Sequence, residues 1–377
     1  MIVPVITILL LLAYAILISA ITIGWWRLKV FKIPGSGPEV KVSLVVAARN
    51  EEQNISKLLN SLLLQDYPSA LFEIIIVDDH STDNTLHLAE EIILRQGNEH
   101  SVNLIALTGS DPSGKKAALS RGIQASSGEL ILVTDADCTA GVSWVSAISE
   151  FYRQYKPHMI LGPVHMQGDG GFFAKLQTME FTSLISSAAG SCNAGIPILA
   201  NGANIAFTRQ AYDSCGGFTG NMQYPSGDDM FLMMSIKEKF GARAIRFLRS
   251  AEAIVYTPAA AGINSFIQQR MRWVSKSRGY TDPILLAASI TVFLTNAWLL
   301  GLALAVPFHQ DFFSLFLVIY LLKMMIDFPL MLGFSRFQRT MYLMWLFPLM
   351  ELLNSVYTTF IGIAGNFGKY EWKGRKV

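Results

Sequence analysis

Three acidic clusters in this chain have the residue types and spacing to do chemistry. Ile74-Ile75-Ile76-Val77 runs straight into Asp78-Asp79-His80. Leu130-Ile131-Leu132-Val133-Thr134 runs into Asp135-Ala136-Asp137, and Gly227-Asp228-Asp229 opens a helix-like run through Lys239. An aspartate after a strand is commonly a turn or helix-cap residue, so one such site alone reads as structure. Two strand-end pairs in one domain read differently, because carboxylates gathered at one sheet edge repel unless a cation neutralises them. Alternate residues of an extended chain face the same side, so Asp135 and Asp137 can converge on one ligand. Oxygen donors with few nitrogens or sulfurs suit Mg2+ or Mn2+. Mg2+ usually takes one or two carboxylates together with substrate phosphates, which implies a phosphorylated substrate such as a nucleotide derivative.

Other segments point the same way. Ala47-Ala48-Arg49-Asn50-Glu51 follows a strand and precedes a helix, where its backbone and side chains can hold a nucleotide or simply cap the helix. Gly114-Lys115-Lys116-Ala117-Ala118-Leu119 sets a glycine and lysines at a helix start, suited to an anion or, more plainly, to water. It lacks the spacing of a phosphate-binding P-loop. Gln269-Arg270-Met271-Arg272-Trp273, with Lys276 and Arg278 after it, reads on composition as an interfacial anchor before a membrane span.

These residues need a frame. Apolar runs of strand length at Val42–Ala47, Ile74–Val77, Val102–Ala106, Leu130–Thr134 and Met159–Leu161 alternate with helix-like stretches near Glu52–Leu64, Thr85–Leu94, Lys115–Ala125 and Ser143–Tyr155. That alternation predicts an α/β domain, residues 40–282, with a mostly parallel sheet covered on both faces. In such sheets ligands bind at the carboxyl ends of the strands, where the acidic pairs stand.

The flanks differ. The 377 residues are 51% hydrophobic and 15% charged, against about 25% charged in an ordinary soluble domain, and mean hydropathy is +0.37. The excess is localised. Residues 1–30 hold an uncharged run, Val3 to Trp26, ending in two tryptophans and followed by Arg27, Lys29 and Lys32. The run predicts a membrane helix with the domain on the cytoplasmic side. A cleaved signal peptide fits less well: no positive residue precedes the run and no small-residue cleavage site follows. A Pro/Gly break at Pro34, Gly35, Gly37 and Pro38 then leads into the domain.

Residues 283–377 form a second membrane region with two to three hydrophobic segments. Ile284–Pro307 is the first. Phe312–Phe334 holds Lys323 and Asp327, four apart and able to pair. Met341–Gly362 is interrupted by Pro348, Glu351 and Asn354, and a tail carries Lys369, Lys373, Arg375 and Lys376. Four full spans would put that tail outside, whereas its positive charge puts it inside. We favour the tail inside, with the last segment re-entrant or interfacial. A net charge of +2 gives no case for a nucleic-acid partner. Three scattered cysteines fit a reducing compartment and read as small buried apolar residues.

Taken in order from Val42 to Trp273, the motifs resemble family 2 glycosyltransferases of the GT-A fold, the membrane-embedded type. They include Ala48–Glu51, Asp78–Asp83, Gly114–Leu119, the D-x-D at Asp135–Asp137, Asn201-Gly202-Ala203-Asn204 with Gly216-Gly217-Phe218, Gly227–Asp229, and Q-x-x-R-W at Gln269–Trp273. The resemblance implies a GT-A, Rossmann-like domain between transmembrane helices. It implies an inverting transfer from a nucleotide sugar, a UDP-sugar first, to a lipid or saccharide hydroxyl, assisted by Mg2+ or Mn2+. The setting it implies is the cytoplasmic face of a bacterial inner membrane.

Roles carry over by position. Asp78 and Asp79 would contact the base and ribose, and Lys115 the nucleotide or its phosphates. Asp135 would lie near ribose and metal, with Asp137 as metal ligand. Arg49, Glu51, Gln269 and Arg272 join the donor set, and Asn201, Gly202 and Trp273 the acceptor side. Asp229 would be the general base. Asp228 stands where the family commonly has Glu. The motif at Gln269–Trp273 weakens the anchor reading of Arg272 and Trp273. The alternatives are a processive polysaccharide synthase, a metal-dependent lipid phosphotransferase or nucleotidyltransferase, and a non-catalytic membrane partner. The short apolar C-terminal part favours a lipid acceptor that takes one sugar.

Overall fold

The computed structural model describes residues 2–35, 37, 39–96, 101–168, 170–224, 226–367, 371–372 and 375–376. Pro38, Lys369 and Lys373 lie outside them, and of Arg375 and Lys376 only the backbone is described. In chain order the elements are α1 (Ile2–Arg27), β1 (Val42–Ala48), α2 (Ile55–Leu63), β2 (Phe72–Asp79), α3 (Thr85–Gln96), β3 (Ser101–Leu107), α4 (Lys115–Ala125), β4 (Leu130–Val133), β5 (Thr139–Ala140), α5 (Trp144–Tyr155), β6 (Met159–Leu161), β7 (Val164–Gln167), α6 (Phe172–Asn193), β8 (Ile205–Thr208), α7 (Arg209–Ser214), α8 (Asp228–Phe240), β9 (Ile245–Phe247), β10 (Val255–Pro258), α9 (Ile263–Ser275), α10 (Pro283–Ala305), α11 (Asp311–Gln338) and α12 (Phe347–Phe367).

They form two compact units. One is Lys29–Gln167 with Leu199–Pro258; the other is Met1–Leu28, Gly168–Ile198 and Ala259–Val377. The 40–282 stretch read from sequence as one domain therefore contributes to both, because α6 and α9 pack with the terminal helices.

The first unit is an α/β domain. Its main sheet runs β3-β2-β1-β4-β8-β6-β9, with β8 antiparallel to both neighbours and every other pairing parallel. The chain winds outward from β1 through β2 to β3, then returns to β4 on the other side of β1. That reversal opens a crevice at the strands' carboxyl ends. β1 is Val-Ser-Leu-Val-Val-Ala-Ala and almost wholly buried, as a central strand covered on both faces must be. α2 buries Ile55, Leu58, Leu59, Leu62 and Leu63, one stripe at helical spacing. A smaller sheet, β5-β10-β7, completes the unit.

Several element ends lie up to a few residues from the expected positions, and two of the shifts have plain physical reasons. β2 runs to Asp79 rather than stopping at Val77, because Asp78 pairs with both Ala48 and Ala106. α2 begins at Ile55 rather than Glu52, because Glu51 to Asn54 are committed to loop hydrogen bonds.

The second unit is helical. Residues Val3–Arg27, Pro283–Ala305, Asp311–Gln338 and Met341–Gly365 are each long and apolar enough to cross a membrane. Asp282 caps α10 through the amides of Ile284 and Leu285, with Pro283 in the first turn. α1 meets α6 backbone to backbone: a methyl at Gly24 would lie 2.1 Å from the Gly190 carbonyl oxygen, and one at Gly190 2.3 Å from that of Ile21. Only glycine permits this approach. Met341–Leu346 is a tight 3-10 turn, and Pro348 falls in the first turn of α12, where a missing N–H costs nothing. Lys323 and Asp327 pair at 2.8 Å as expected. Glu351 also bonds Lys323, and the Tyr14 hydroxyl donates to both Asp327 oxygens at 2.9 and 2.8 Å.

Candidate active site

The loops after β1 and β2 are laced together. The Asn50 amide donates to Ser81 Oγ (2.9 Å), the Thr82 amide to Asn50 Oδ1 (2.9 Å), and the Glu51 amide to Thr85 Oγ1 (2.7 Å). The Asp83 carboxylate accepts from Thr85 and from the Glu52 amide; burial opposes its charge, but these bonds prevail and lower its pKa. The Arg49 guanidinium donates to the Asp79 and His80 carbonyls at 2.6 and 3.1 Å. Glu51, buried, accepts from Asn54 at 2.8 Å. Both residues fix the loops that frame the crevice.

Asp78 and Asp79 are both buried but differently engaged. Asp78 Oδ2 accepts the Ser81 amide at 3.0 Å, whereas its buried Oδ1 has no hydrogen-bond partner among the described residues. A buried acceptor left open is costly unless a ligand donates to it. Asp79 instead receives the Gly114 amide on both oxygens at 3.0 Å, and His80 Nδ1 lies 3.1 Å away. It thereby fixes the start of α4.

From that start Lys115 reaches across to two other acidic clusters. Its ammonium lies 2.6 Å from Asp135 and 3.3 Å from Asp228. Burial opposes the Lys115 charge, but the carboxylates prevail and hold it protonated well beyond the ordinary lysine range. This is no solvated lysine. Asp229, beside Asp228 in the first turn of α8, accepts the Gly202 amide at 3.0 Å. A methyl at Gly202 would stand 3.1 Å from Lys115 Nζ and 3.4 Å from Asp228 Oδ2, so the glycine lets the turn approach the ion set. Asn201 Oδ1 accepts the Ala203 amide at 3.0 Å and shapes that turn.

Behind it sits Asn204, 1% exposed. It accepts from Trp144 Nε1 at 3.1 Å and donates to the Pro163 and Ala253 carbonyls, each at 2.8 Å. Its role is to brace β8, and its sequence position beside Asn201 was the only signal for it.

Asp135, Asp137 and Cys138 present oxygens and a sulfur within 4.8 Å of one another. The two aspartates are partly exposed and offer hard oxygen donors, which fit Mg2+ or Mn2+. Cys138 adds a soft sulfur beside them, a donor less suited to Mg2+ or Mn2+ than the two carboxylates.

Gln269, Arg272 and Trp273 belong to α9, in the helical unit. Arg270 and Met271, between Gln269 and Arg272, are the buried residues of this helix, and Arg270 carries a charge. Its guanidinium bonds both Glu180 oxygens (3.1 and 2.5 Å) and Gln269 Oε1, and lies over the Trp273 ring at 4.1 Å from its centroid. Tyr357 donates to Glu180 at 3.1 Å. Sequence reasoning missed this pair because its members stand ninety positions apart.

Residues 43–217 match the model of glycosyl transferase family 2. A beta-monoglucosyldiacylglycerol synthase of Nostoc sp. is 30% identical over 193 residues, 50% of this chain and 39% of that one. The poly(ribitol-phosphate) beta-N-acetylglucosaminyltransferase TarS of Staphylococcus aureus is 31% identical over 133 residues, 35% of this chain and 22% of that one. The chain thus spans well under half the length of these relatives. A mannosyltransferase of Pyrobaculum calidifontis, solved with GDP-Man and Mn2+, superposes with a TM-score of 0.61 at 17% identity, over 94% of this chain and 98% of that one. That likeness is one of fold, the GT-A fold.

Proposed function

We propose, from the glycosyl transferase family 2 domain that residues 43–217 constitute, that this chain is a membrane glycosyltransferase moving a sugar from a nucleotide sugar to a lipid hydroxyl. One observation carries the reading: Asp135 and Asp228 meet on Lys115 while Asp229 holds the adjoining Gly202 turn. A donor-side acid and an acceptor-side acid thereby share one ammonium. The open oxygen of Asp78 suits an N–H of a nucleobase. A UDP-sugar is the preferred donor, and diacylglycerol, which the relative's name implies, is the first acceptor to try.

The transfer is a single inverting displacement. Asp229 takes the proton of the acceptor hydroxyl as that oxygen attacks the anomeric carbon and the nucleoside diphosphate departs. Lys115 keeps Asp135 and Asp228 in register and adds positive charge near the leaving group. Asp137, with Asp135, would hold Mg2+ or Mn2+, which when bound offsets the charge growing on the diphosphate. Gln269 and Arg272 on α9 are assigned to the donor diphosphate and Trp273 to the acceptor. Arg49, Glu51 and Asp79 support the donor side by fixing its loops, and Asn201 and Gly202 form the acceptor side.

The α/β unit is assigned to the cytoplasmic face of a bacterial inner membrane. Arg27, Lys276, Arg278, Arg336 and Arg339 stand at the ends of α1 and α11 and ahead of α10 that an alternating path brings to one side. α12 is assigned as re-entrant. The Pro348 carbonyl at its start accepts from Tyr320, the tenth of the 28 residues of α11, at 2.6 Å. Its far end packs Gly365 against Val274 of α9.

The test is to incubate membranes carrying the protein with a panel of labelled nucleotide sugars, with and without Mn2+, and analyse the lipid extract by mass spectrometry. A metal-dependent glycolipid with one added sugar is expected. A water-insoluble polymer instead would favour the synthase alternative, and no product from any donor would overturn the reading.

A further inference from the structure

Lys116 follows Lys115 in α4 and is 4% exposed. Its ammonium donates to two backbone carbonyls, Asn221 at 2.6 Å and Tyr224 at 3.0 Å. It also lies over the Phe231 ring, 4.6 Å from the centroid, and Tyr224 stacks on that ring at 5.0 Å. Two carbonyl dipoles and an aromatic face each attract a buried cation, and through them it holds the backbone that carries them.

The residues it holds are informative. Asn221 and Tyr224 belong to the loop between α7 and α8, whose Thr219, Gly220, Met222 and Gln223 are exposed. The loop leads directly into Asp228 and Asp229, and Phe231 lies in the first turn of α8. We infer that Lys116 is a positioning residue: its ammonium pegs the α7–α8 loop onto α8 and so fixes the two aspartates against Lys115 and Gly202. The two adjacent lysines of α4 then divide one task. Lys115 sets the charge of the acid pair and Lys116 sets its place.

This inference rests on the assignment of Asp229 as the base, but its primary readout needs no turnover. Full-length protein in nanodiscs carrying Lys116→Met is compared with the parent by amide hydrogen exchange. Amides from Asn221 to Asp229 are expected to exchange at least about tenfold faster, with β1 to β4 unchanged. Phe231→Leu, which removes the ring face and leaves the carbonyls, should give a smaller change confined to the same residues. If dioleoylglycerol in mixed micelles is glycosylated, Lys116→Met should lower kcat about tenfold with the donor KM within twofold. Unchanged exchange in both variants overturns the inference, as does a rise shared by β1 to β4 or a donor KM that moves with kcat. If no sugar is transferred at all, exchange alone decides.

Discussion

Two lysines in this molecule sit between carboxylates, and they do so in opposite surroundings. Lys115 in the α/β unit lies between Asp135 and Asp228, and the Asp135 side chain is 38% exposed. Lys323 in the helical unit lies between Asp327 and Glu351 with the Tyr14 hydroxyl closing one side, and its own exposure is zero. The bare count of charged groups is the same, one ammonium and two acids. What differs is whether water can reach them. The open set has room for a second cation, which its excess acid would attract, and through that cation for an anionic ligand. The closed set ties α1, α11 and α12 together where an unpaired charge would be ruinous. A buried ion set is thus read by its exposed edge, since residue types alone do not separate a site from a tie.

Substitutions in the two sets should therefore fail in different ways. Lys323→Met strands two acids among apolar helices and should cost about 3–5 kcal/mol, the usual effect of breaking a buried pair. Thermal unfolding in detergent would show it as a large drop in midpoint. A second change, Glu351→Gln, should recover part of the loss, and an unchanged midpoint in the single variant would refute the tie.

Asp229→Asn should cut transfer by about 10²–10⁴-fold, the range for a lost general base. UDP affinity by calorimetry should stay within about twofold and the unfolding midpoint should hold. Full turnover in this variant would make Asp229 a loop brace and no more.

Asp137→Ala should act on the ligand rather than on the fold. UDP affinity in the parent should rise with Mn2+, and the variant should lose most of that increment, about tenfold at one lost carboxylate. Equal titrations with and without Mn2+ in the parent would deny the open set its second cation.

The smallest effect is expected from Gly202→Ala. Its new methyl meets the flexible end of Lys115 at 3.1 Å, so the ammonium can give way by a few tenths of an ångström. Transfer should fall only a few-fold, with stability altered by about 1 kcal/mol or less.

The frame of the open set was legible before any coordinates. Strand-length apolar runs ending in aspartates imply a sheet whose carboxyl edge is acidic, and Met159–Leu161 and Lys115–Ala125 stand where the pattern placed them. Legibility ended where partners are distant in sequence. Nothing in Gly114–Leu119 distinguishes Lys115 from Lys116, because their separation depends on a loop about a hundred residues away. Asp79 has the type and place of a ligand contact, but that it also anchors the Gly114 amide on both oxygens was not readable from its neighbours in sequence. The Lys323–Asp327 pair was readable from a four-residue spacing, whereas Tyr14 and Glu351 arrive from other helices. α6 lacks the one-sided apolar pattern that would betray its packing, being buried on several faces at once. Its place among the terminal helices was therefore invisible.

The glycine crossing of α1 and α6 bears on how this protein can be handled. Leading apolar helices are routinely cut away to obtain a water-soluble enzyme. Here that cut would strip Ile21 and Gly24 from the groove at Gly190, and Asn193 would lose the Gly24 carbonyl it donates to at 2.8 Å. It would also remove Tyr14 from the Lys323 set and Trp25 from its contact with Phe334. A chain trimmed of its first thirty residues would thus be a damaged protein rather than a detached catalytic head, and inactivity after trimming would say nothing about catalysis.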